Sequence, residues 1–367
     1  MATEHDPEAA RSLFRQGVQQ YEAGELDAAR RSFEESLRLE PGRAATAVRL
    51  AGVRLKQGAP EEALGLVHGV LDADPGHADA LGLRGTAFAM LGFFPNALQA
   101  FDQLVELQPR NAQAWTLRGN VLREMGRYEE AEASFGKAVQ DSPAPEVMAY
   151  FAAASGRDAP PDSAPRDYVQ SLFDNYASNY DTELVDTLNY RVPELLAQGL
   201  QRLGRRYSQG IDLGCGTGLC APLVKPFVDR LDGVDLSPQM LEHAKARGLY
   251  ESLHAGDIVE FLAAASTPWD LAVAGDVFLY VGRLEPVFAQ LQRLMPAGGV
   301  LCFSVEAHDG PEPLVLQHTR RYAHSQPYVE GLAAGHGLRM LQLERAAIRE
   351  QRGVPVQGFC VWLERDG

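Results

Sequence analysis

The residues with the clearest chemical potential lie in a glycine-rich stretch, QGIDLGCGTGL, at residues 209–219. A short apolar run ends at Asp212 and Leu213, and glycines follow at 214, 216 and 218. Glycine lets the backbone turn tightly and approach a ligand that a side chain would push away. The stretch therefore predicts a strand that ends in a ligand-binding loop, although such a loop alone is a weak indicator of which ligand binds.

Acidic residues follow three further apolar runs. Asp235 comes 23 residues after Asp212 at the end of LDGVD, Asp257 follows Gly256, and Asp276 closes WDLAVAGD. In open α/β sheets, ligands bind at the carboxyl ends of the strands, and an acidic residue after the second strand accepts hydrogen bonds from ribose hydroxyls. The spacing therefore predicts a nucleoside site built by Asp235 and its neighbours.

The elements that must position these residues alternate between strand and helix from about residue 208 onward. This order is typical of a sheet with helices on both faces. Near the end, RMLQLERAAIRE and VPVQGFCVWLER flank Gln351-Arg352-Gly353 and predict a terminal hairpin, whereas AHDGPEPLVLQ (307–317) is expected to be a long loop.

At this point the chain resembles the class I methyltransferases that use S-adenosylmethionine (SAM), because DLGCGTG and VDLSPQML match the first and second motifs of that family. The resemblance implies a Rossmann-like seven-stranded sheet with one antiparallel strand. It also implies contacts to methionine from the glycine loop and Asp212, to ribose from Asp235, to adenine from Asp257 and Ile258, and Asp276 beside the methyl group. The expected SAM site comprises Tyr176, Tyr180, Asp212, Gly214, Cys215, Gly216, Gly218, Asp235, Leu236, Met240, Asp257, Ile258, Asp276 and Val277.

A nicotinamide cofactor is the competing interpretation of the same loop. Dinucleotide-binding folds prefer G-x-G-x-x-G, whereas this loop is G-x-G-x-G. Nothing else in the sequence indicates a second nucleotide-binding half, so SAM is favoured.

The first half of the chain repeats every 34 residues. Five positions recur in four copies, namely Gly17/Ala51/Gly85/Gly119, Gly24/Gly58/Gly92/Gly126, Ala29/Ala63/Ala97/Ala131, Phe33/Val67/Phe101/Phe135 and Pro41/Pro75/Pro109/Pro143. Small residues let two helices approach, the larger residue fills the space between them, the second glycine ends the first helix, and proline follows the second.

This pattern resembles the tetratricopeptide repeat (TPR) family over about residues 10–143, with the second repeat the weakest match. The resemblance implies an α-solenoid whose concave face binds a protein or peptide. The alternative is that the repeats serve dimerisation or brace the enzyme.

The predicted architecture is α plus α/β. Residues 1–155 form the repeat domain with a capping helix at 145–155, and 156–166 (GRDAPPDSAPR) form a linker. Residues 167–367 form the methyltransferase domain, whose first part, 167–205, is expected to be a lid that brings Tyr176 and Tyr180 to SAM. The alternative for these tyrosines is a packed helical face with Phe173.

Methyl transfer from SAM chiefly needs alignment and exclusion of water, with a general base optional. The candidates for a catalytic group are His324, His308 and Tyr280, and each histidine has an ordinary structural role as its alternative. The acceptor is expected to be an N or O atom, on a protein or peptide recruited by the repeats. The alternatives are a small-molecule methyltransferase that dimerises through the repeats and a SAM-binding protein without catalysis.

Composition limits the remaining classes. The net charge of −15 disfavours nucleic acid as a partner, and no apolar run is long enough to span a membrane. Four cysteines without CxxC spacing predict neither a metal site nor disulfides and favour a cytoplasmic location. RYAHS…YVEGLA and IREQRGVPVQGF resemble bacterial methyltransferases that carry TPR repeats.

Overall fold

The structure is a computed structural model that describes residues 6–156, 159–177, 180–182, 184, 188–351 and 353–367. The chain divides into two compact units, residues 1–156 and 157–367. We call them the repeat unit and the second unit. No helix of the described ranges combines the length and the apolar character needed to cross a membrane.

The repeat unit consists of helices that pack in sequential pairs. They are α1 (Pro7–Glu22), α2 (Leu26–Leu39), α3 (Ala44–Lys56), α4 (Pro60–Ala73), α5 (Ala78–Met90), α6 (Phe94–Leu107), α7 (Ala112–Glu124), α8 (Tyr128–Val139) and α9 (Pro145–Ser155).

Close helix approach explains the small residue of each repeat. A Cβ atom on the small-residue glycine would lie 2.6–2.7 Å from a phenylalanine ring of the same repeat, in the pairs Gly17–Phe33, Gly85–Phe101 and Gly119–Phe135. In the second repeat both positions differ from the other three repeats. The small residue is Ala51 instead of glycine, the large residue is Val67 instead of phenylalanine, and both are fully buried. The predicted complementarity of small and large residues is confirmed.

Glycine and proline end the helices as expected. Gly24, Gly58, Gly92 and Gly126 follow α1, α3, α5 and α7 with φ between +74° and +79°, a left-handed conformation that favours glycine. The prolines at 41, 75, 109 and 143 follow the ends of α2, α4, α6 and α8.

The second unit is a sheet with helices on both faces. Its strands are β1 (Tyr207–Leu213), β2 (Val228–Asp235), β3 (Ser252–Ala255), β4 (Leu271–Ala274), β5 (Val300–His308), β6 (Leu314–Leu316), β7 (Tyr322–Ser325), β8 (Leu338–Gln351) and β9 (Val354–Arg365). Its helices are α10 (Arg166–Tyr176), α11 (Tyr180–Thr182), α12 (Val192–Leu203), α13 (Ala221–Val224), α14 (Pro238–Ala246), α15 (Ile258–Ala264), α16 (Glu285–Leu294) and α17 (Gln326–Gly335), with 3₁₀ turns at Lys225–Phe227 and Phe278–Tyr280.

Strands β1 to β5 are parallel in the order β3-β2-β1-β4-β5, and β9 joins the β5 edge antiparallel. The predicted terminal hairpin is confirmed as β8 and β9, and these seven strands form the expected mixed sheet.

The sheet of the described residues also contains two strands beyond the expected seven. The last three residues of β5 pair with β7, and β6 pairs antiparallel with β7. The expectation of a loop at 307–317 is therefore wrong for Leu314–Leu316, which the sequence alone conceals because three residues are too few to show alternation.

Apolar side chains fill both faces of the sheet. Helices α15, α16 and α17 cover one face, and α12 and α13 cover the other. Gly199 of α12 permits the closest approach, since a Cβ atom there would lie 2.0 Å from the ring of the fully buried Trp362. This packing holds the carboxyl ends of the parallel strands in fixed positions.

Candidate functional site

The glycine loop after β1 has a backbone that requires glycine. Its φ angles are +67° at Gly214, +55° at Gly216 and +83° at Gly218. A Cβ atom on Gly214 would lie 2.3 Å from Cγ2 of Val277. The amides of Gly214 and Cys215 donate to the carbonyl of Val234 at 2.8 and 3.0 Å, so the loop is held across the end of β2.

Asp235, the last residue of β2, holds the glycine loop through hydrogen bonds to its backbone. Its Oδ2 accepts a hydrogen bond from the Gly216 amide and its Oδ1 accepts one from the Ser237 amide, both at 2.8 Å. Burial raises the pKa of Asp235, and these two amide donors oppose that shift. A carboxylate has about four acceptor positions, so two backbone bonds leave capacity for hydroxyl donors.

Asp257, which follows β3, is the N-cap of α15. Its Oδ1 accepts hydrogen bonds from the amides of Val259 and Glu260 at 2.9 and 3.1 Å. Its Oδ2 lies 3.5 Å from Nε of Arg166. The carboxylate thus places the start of α15, including Ile258, at the edge of the sheet.

These strand ends converge on a cavity of about 520 Å³, which we call the outer cavity. This volume lies within the range of roughly 300–1,000 Å³ typical of small-molecule sites. Its base is formed by Gly214, Gly216, Asp235, Leu236, Gly256, Asp257, Ile258, Gly275, Asp276 and Val277, and its other walls include Asp162, Ser163, Ala164, Arg166, Val169, Phe173, Tyr180 and Tyr280.

Part of the segment expected to be a linker contributes to this cavity. Ser163 forms a β-bridge with Val281, and the amide of Ala164 donates to the carbonyl of Tyr280 at 3.0 Å. The hydroxyl of Tyr322 donates to the carbonyl of Pro161 at 2.7 Å. Residues 161–164 are therefore part of the second unit and line its site.

A smaller cavity of about 140 Å³ adjoins the first, and we call it the inner cavity. It shares Phe173, Tyr180, Asp276 and Tyr280 with the outer cavity. Its remaining walls are Leu172, Tyr176, Leu184, Leu188, Leu279, Arg321 and Arg349. The shared residues lie between the two spaces.

Asp276 stands between the cavities in an unusual conformation. Its φ is +56°, which costs free energy for a residue other than glycine and persists only where the surroundings impose it. The amide of Asp276 donates to Oγ of Ser304 at 2.9 Å. Its carboxylate oxygens lie 2.9 and 3.0 Å from Nη1 of Arg349, whose Nη2 donates to Glu306. Burial raises the pKa of Glu306, and the charge of Arg349 opposes this shift.

The family of methyltransferase domains matches residues 211–301, and two models of tetratricopeptide repeats match residues 20–87 and 83–145. The chain contains tetratricopeptide repeats and a methyltransferase domain. The repeat unit holds the former and the second unit the latter.

Curated relatives resemble parts of the chain. Human methyltransferase-like protein 27 is 43% identical over 113 residues, which are 30% of this chain and 43% of that protein. A malonyl-[acyl-carrier protein] O-methyltransferase of Serratia marcescens is 31% identical over 147 residues, 40% of this chain and 55% of that enzyme. The chain thus spans about half the length of these relatives. The crystal structure of the N-methyltransferase NodS from Bradyrhizobium japonicum with S-adenosylhomocysteine (SAH) is 16% identical, with a TM-score of 0.43 and coverage of 54% of this chain and 98% of that one.

Most residues expected at the cofactor line the outer cavity of the methyltransferase domain. They are Tyr180, Gly214, Gly216, Asp235, Leu236, Asp257, Ile258, Asp276 and Val277. Tyr280, one of the three expected catalytic residues, lines both cavities, and burial raises the pKa of its hydroxyl.

Asp212 does not line either cavity. It is 2% exposed and its Oδ2 accepts a hydrogen bond from the hydroxyl of Tyr250 at 2.7 Å. Side chains alternate along a strand, and the neighbouring Leu213 packs into the core on the α15–α17 face. Asp212 therefore points away from Leu213, beneath the loop, which contradicts the expected contact with a ligand amino group.

Three other expected cofactor contacts are also absent from the cavity walls. Cys215 and Met240 are buried in the core, and Gly218 faces Arg247 and Tyr250. Cys215 lies between the lining residues Gly214 and Gly216, and Met240 belongs to α14.

The segment expected to be a lid is partly described. Phe173 of α10 packs edge-to-face against Tyr180 and Tyr280, with ring centroids 5.9 and 5.3 Å apart. Asp181 accepts hydrogen bonds from Thr217 and Arg247, which ties α11 to the glycine loop. Tyr176 lines the inner cavity instead of the outer one. Residues 178, 179, 183 and 185–187 of this segment lie outside the described residues.

Both histidines expected as general bases lie elsewhere. His324 is fully buried, its Nε2 is 2.7 Å from the carbonyl oxygen of Gly282, and burial lowers its pKa to about 4. His308 ends β5 with its Nε2 3.2 Å from Glu312. Neither lines a cavity, so the geometry contradicts the assignment of His324 or His308 as the base.

Sequence reasoning missed Glu306, Arg321 and Arg349. Arg349 and Glu306 are each 2% exposed, although charged residues are rarely buried without partners. A charged residue between apolar positions of a strand was the available signal, as in AAIRE for Arg349.

Proposed function

We propose that the methyltransferase domain binds SAM in the outer cavity and transfers its methyl group to an N or O atom of an acceptor. The observation that carries this proposal is the convergence of Gly214, Gly216, Asp235 and Asp257 on one cavity at the carboxyl edge of the sheet.

The residues present fit SAM. Asp235 keeps free acceptor positions for the two ribose hydroxyls, since each of its oxygens accepts one backbone bond. A Cβ atom on Gly216 would stand 4.0 Å from Tyr180, in the space between the loop and α11 where a cofactor chain would pass. Leu236 and Ile258 supply apolar surface for the adenine ring of SAM.

The sulfonium of SAM supplies an activated methyl group when it is bound. The protein's contribution is alignment of the acceptor and exclusion of water. Phe173, Tyr180 and Tyr280 provide an aromatic wall between the outer and inner cavities. The Arg349–Asp276 pair holds the backbone of the loop after β4 beside this wall.

The acceptor is proposed to occupy the inner cavity, whose position directly beside the outer one supports catalysis over a purely binding role. The similarity to malonyl-[acyl-carrier protein] O-methyltransferases supports an oxygen acceptor. The first candidate for the acceptor is a protein or peptide recruited by the repeat unit. The second candidate is a small molecule, which the small inner cavity favours.

The repeat unit is proposed to recruit a protein or peptide. The first helices of successive repeats, α3, α5 and α7, line a groove of about 400 Å³ that includes Arg49, Asp79 and Asn111. Such a surface suits an extended segment with polar and apolar side chains. Dimerisation through this surface is the competing role, and a cytoplasmic location remains part of the proposal.

The test is titration calorimetry of SAM and SAH against the full chain, with Asp235→Ala and Asp235→Asn as variants. Asp229→Ala is the matched control, because Asp229 lies on the same strand and pairs with Arg206 at the surface. Loss of a hydrogen-bonded partner costs about 1–3 kcal/mol, so Asp235→Ala should weaken SAM about five- to 150-fold, Asp235→Asn less, and the control not at all. Equal affinity in all four proteins, or no binding by the wild type, would refute the proposal.

A further inference from the structure

The inner cavity combines apolar walls with two arginines. Four leucines line it, namely Leu172, Leu184, Leu188 and Leu279, together with Arg321 and Arg349. Arginine stays protonated in proteins, so two positive charges and the carboxylate of Asp276 face a space whose other walls are apolar and aromatic. Buried charges are costly unless they are paired and hydrogen-bonded.

Arg349 has its partners within the protein. It is 2% exposed, its Nη1 binds Asp276 and its Nη2 binds Glu306. Both carboxylates next to the cavity are thus bound by this one guanidinium. Its Nε is buried and has no hydrogen-bond partner among the described residues.

Arg321 is bound differently. Its hydrogen-bond partner is the hydroxyl of Tyr280, which burial keeps neutral by raising its pKa. None of the ion pairs between described residues includes Arg321, although Asp276 and Glu306 lie near enough to act on it electrostatically. Its guanidinium therefore has donors left for an anion in the cavity.

The size of the cavity limits that anion. About 140 Å³ is well below the roughly 300–1,000 Å³ of sites for drug-sized ligands. The leucines offer no hydrogen-bond partner, so a second polar group on the ligand would be left unpaired along most of the wall. A planar carboxylate matches the fork of a guanidinium, and a short apolar body matches the leucines.

We infer that the inner cavity holds the methyl acceptor and that Arg321 pairs with a carboxylate on it, so that the acceptor is a small organic acid. This inference rests on the proposed function, because the inner cavity is the acceptor site only if the outer one holds SAM.

The test is calorimetric titration of matched acids and amides, benzoate with benzamide and malonate with malonamide, into the full chain saturated with SAH, which carries no methyl group to transfer. At least one acid should bind and its amide should not. Arg321→Gln should weaken the acid about ten- to a hundredfold, as expected for loss of a charged hydrogen-bonded pair, and Arg321→Lys should retain part of the affinity. Arg345→Gln is the control, since this exposed arginine of the same domain pairs with Asp309 away from both cavities.

A second variant guards against misfolding of Arg321→Gln. Leu188→Phe leaves Arg321 in place and fills part of the cavity, so it should also weaken acid binding while circular dichroism and the unfolding midpoint stay near those of the wild type. Amides that bind as well as acids, no binding by any of the acids, or full affinity in Arg321→Gln would overturn the inference.

The same titrations separate the two proposals. SAH affinity tests the outer cavity and should be unchanged in Arg321→Gln. If SAH does not bind the wild type, the proposed function fails. The acids are then titrated into the ligand-free chain, where binding that depends on Arg321 still supports an acid site and its absence refutes one.

Discussion

Replacing Asp212 by Asn is expected to change how the stability of the second unit depends on pH. Asp212 is buried beneath the glycine loop with Tyr250 as its hydrogen-bond donor. Burial raises its pKa to about 7, with the Tyr250 hydrogen bond opposing the shift and the charge of Asp235 adding to it. The folded protein therefore holds a proton on Asp212 at pH values where the unfolded chain has lost it.

The magnitude follows from this difference. An unfolded aspartate has a pKa of about 3.9 and each unit of difference is worth about 1.36 kcal/mol, so a folded pKa of about 7 corresponds to about 4 kcal/mol. Because the folded pKa is the higher one, this stabilisation is complete below about pH 4 and is lost as the pH rises to about 7. Asparagine resembles the protonated acid but does not titrate, so the variant does not lose this stabilisation as the pH rises.

Urea unfolding from pH 4.5 to 8 provides the assay. Trp269 and Trp362 are buried in the second unit, so their fluorescence in a Trp115→Phe background reports that unit alone. The difference in unfolding free energy between Asp212→Asn and its Asp212 parent cancels the groups common to both. This difference should move in favour of the variant by about 3 kcal/mol between pH 4.5 and 8, because most of the unfolded aspartate is already ionised at pH 4.5. A difference that stays constant within about 1 kcal/mol would refute the reasoning, because Asp212 would then titrate as an ordinary acid.

Two further predictions concern stability. Gly119→Ala should destabilise the repeat unit by about 1–3 kcal/mol, because its Cβ would lie 2.7 Å from the ring of Phe135. Gly136→Ala is the matched control in α8, where the added Cβ meets open space, and it should stabilise the unit by about 0.5–1 kcal/mol. Equal midpoints of thermal unfolding for the two variants would contradict this packing. Burial lowers the pKa of His324 to about 4, so the wild type loses stability as the pH falls from 6.5 to 4. His324→Gln should reduce this loss by about 3 kcal/mol and should leave SAH affinity unchanged. If urea unfolding gives the same dependence on acid pH for the variant and the wild type, the buried, neutral state of His324 is contradicted.

The repeats and the glycine loop could be predicted because their determinants are close in sequence. The pairs of the Gly119–Phe135 type lie 16 residues apart within one helical hairpin, and the loop from Gly214 to Gly218 follows directly from its strand. Asp235 and Asp257 were also found, since parallel strands place successive carboxyl ends at one edge.

The segment at residues 161–164 and the β6–β7 hairpin could not be predicted in the same way. Pro- and Ser-rich composition describes a linker equally well, and only the hydrogen bonds to Tyr280 and Tyr322 make residues 161–164 a cavity wall. β6 has three residues and forms only because β7 continues the edge of β5.

The sequence by itself determined the two units, the 34-residue helical pairs and the strand ends that carry glycine and aspartate, because turn chemistry and periodicity act over short distances. Only the tertiary structure decided which polar side chains share a cavity. Arg321, Arg349 and Asp276 come from separate parts of the chain and line one cavity, whereas Asp212 and His324 point into the interior. Side-chain direction reverses with each strand residue and burial depends on distant segments, so these outcomes depend on the packed sheet as a whole.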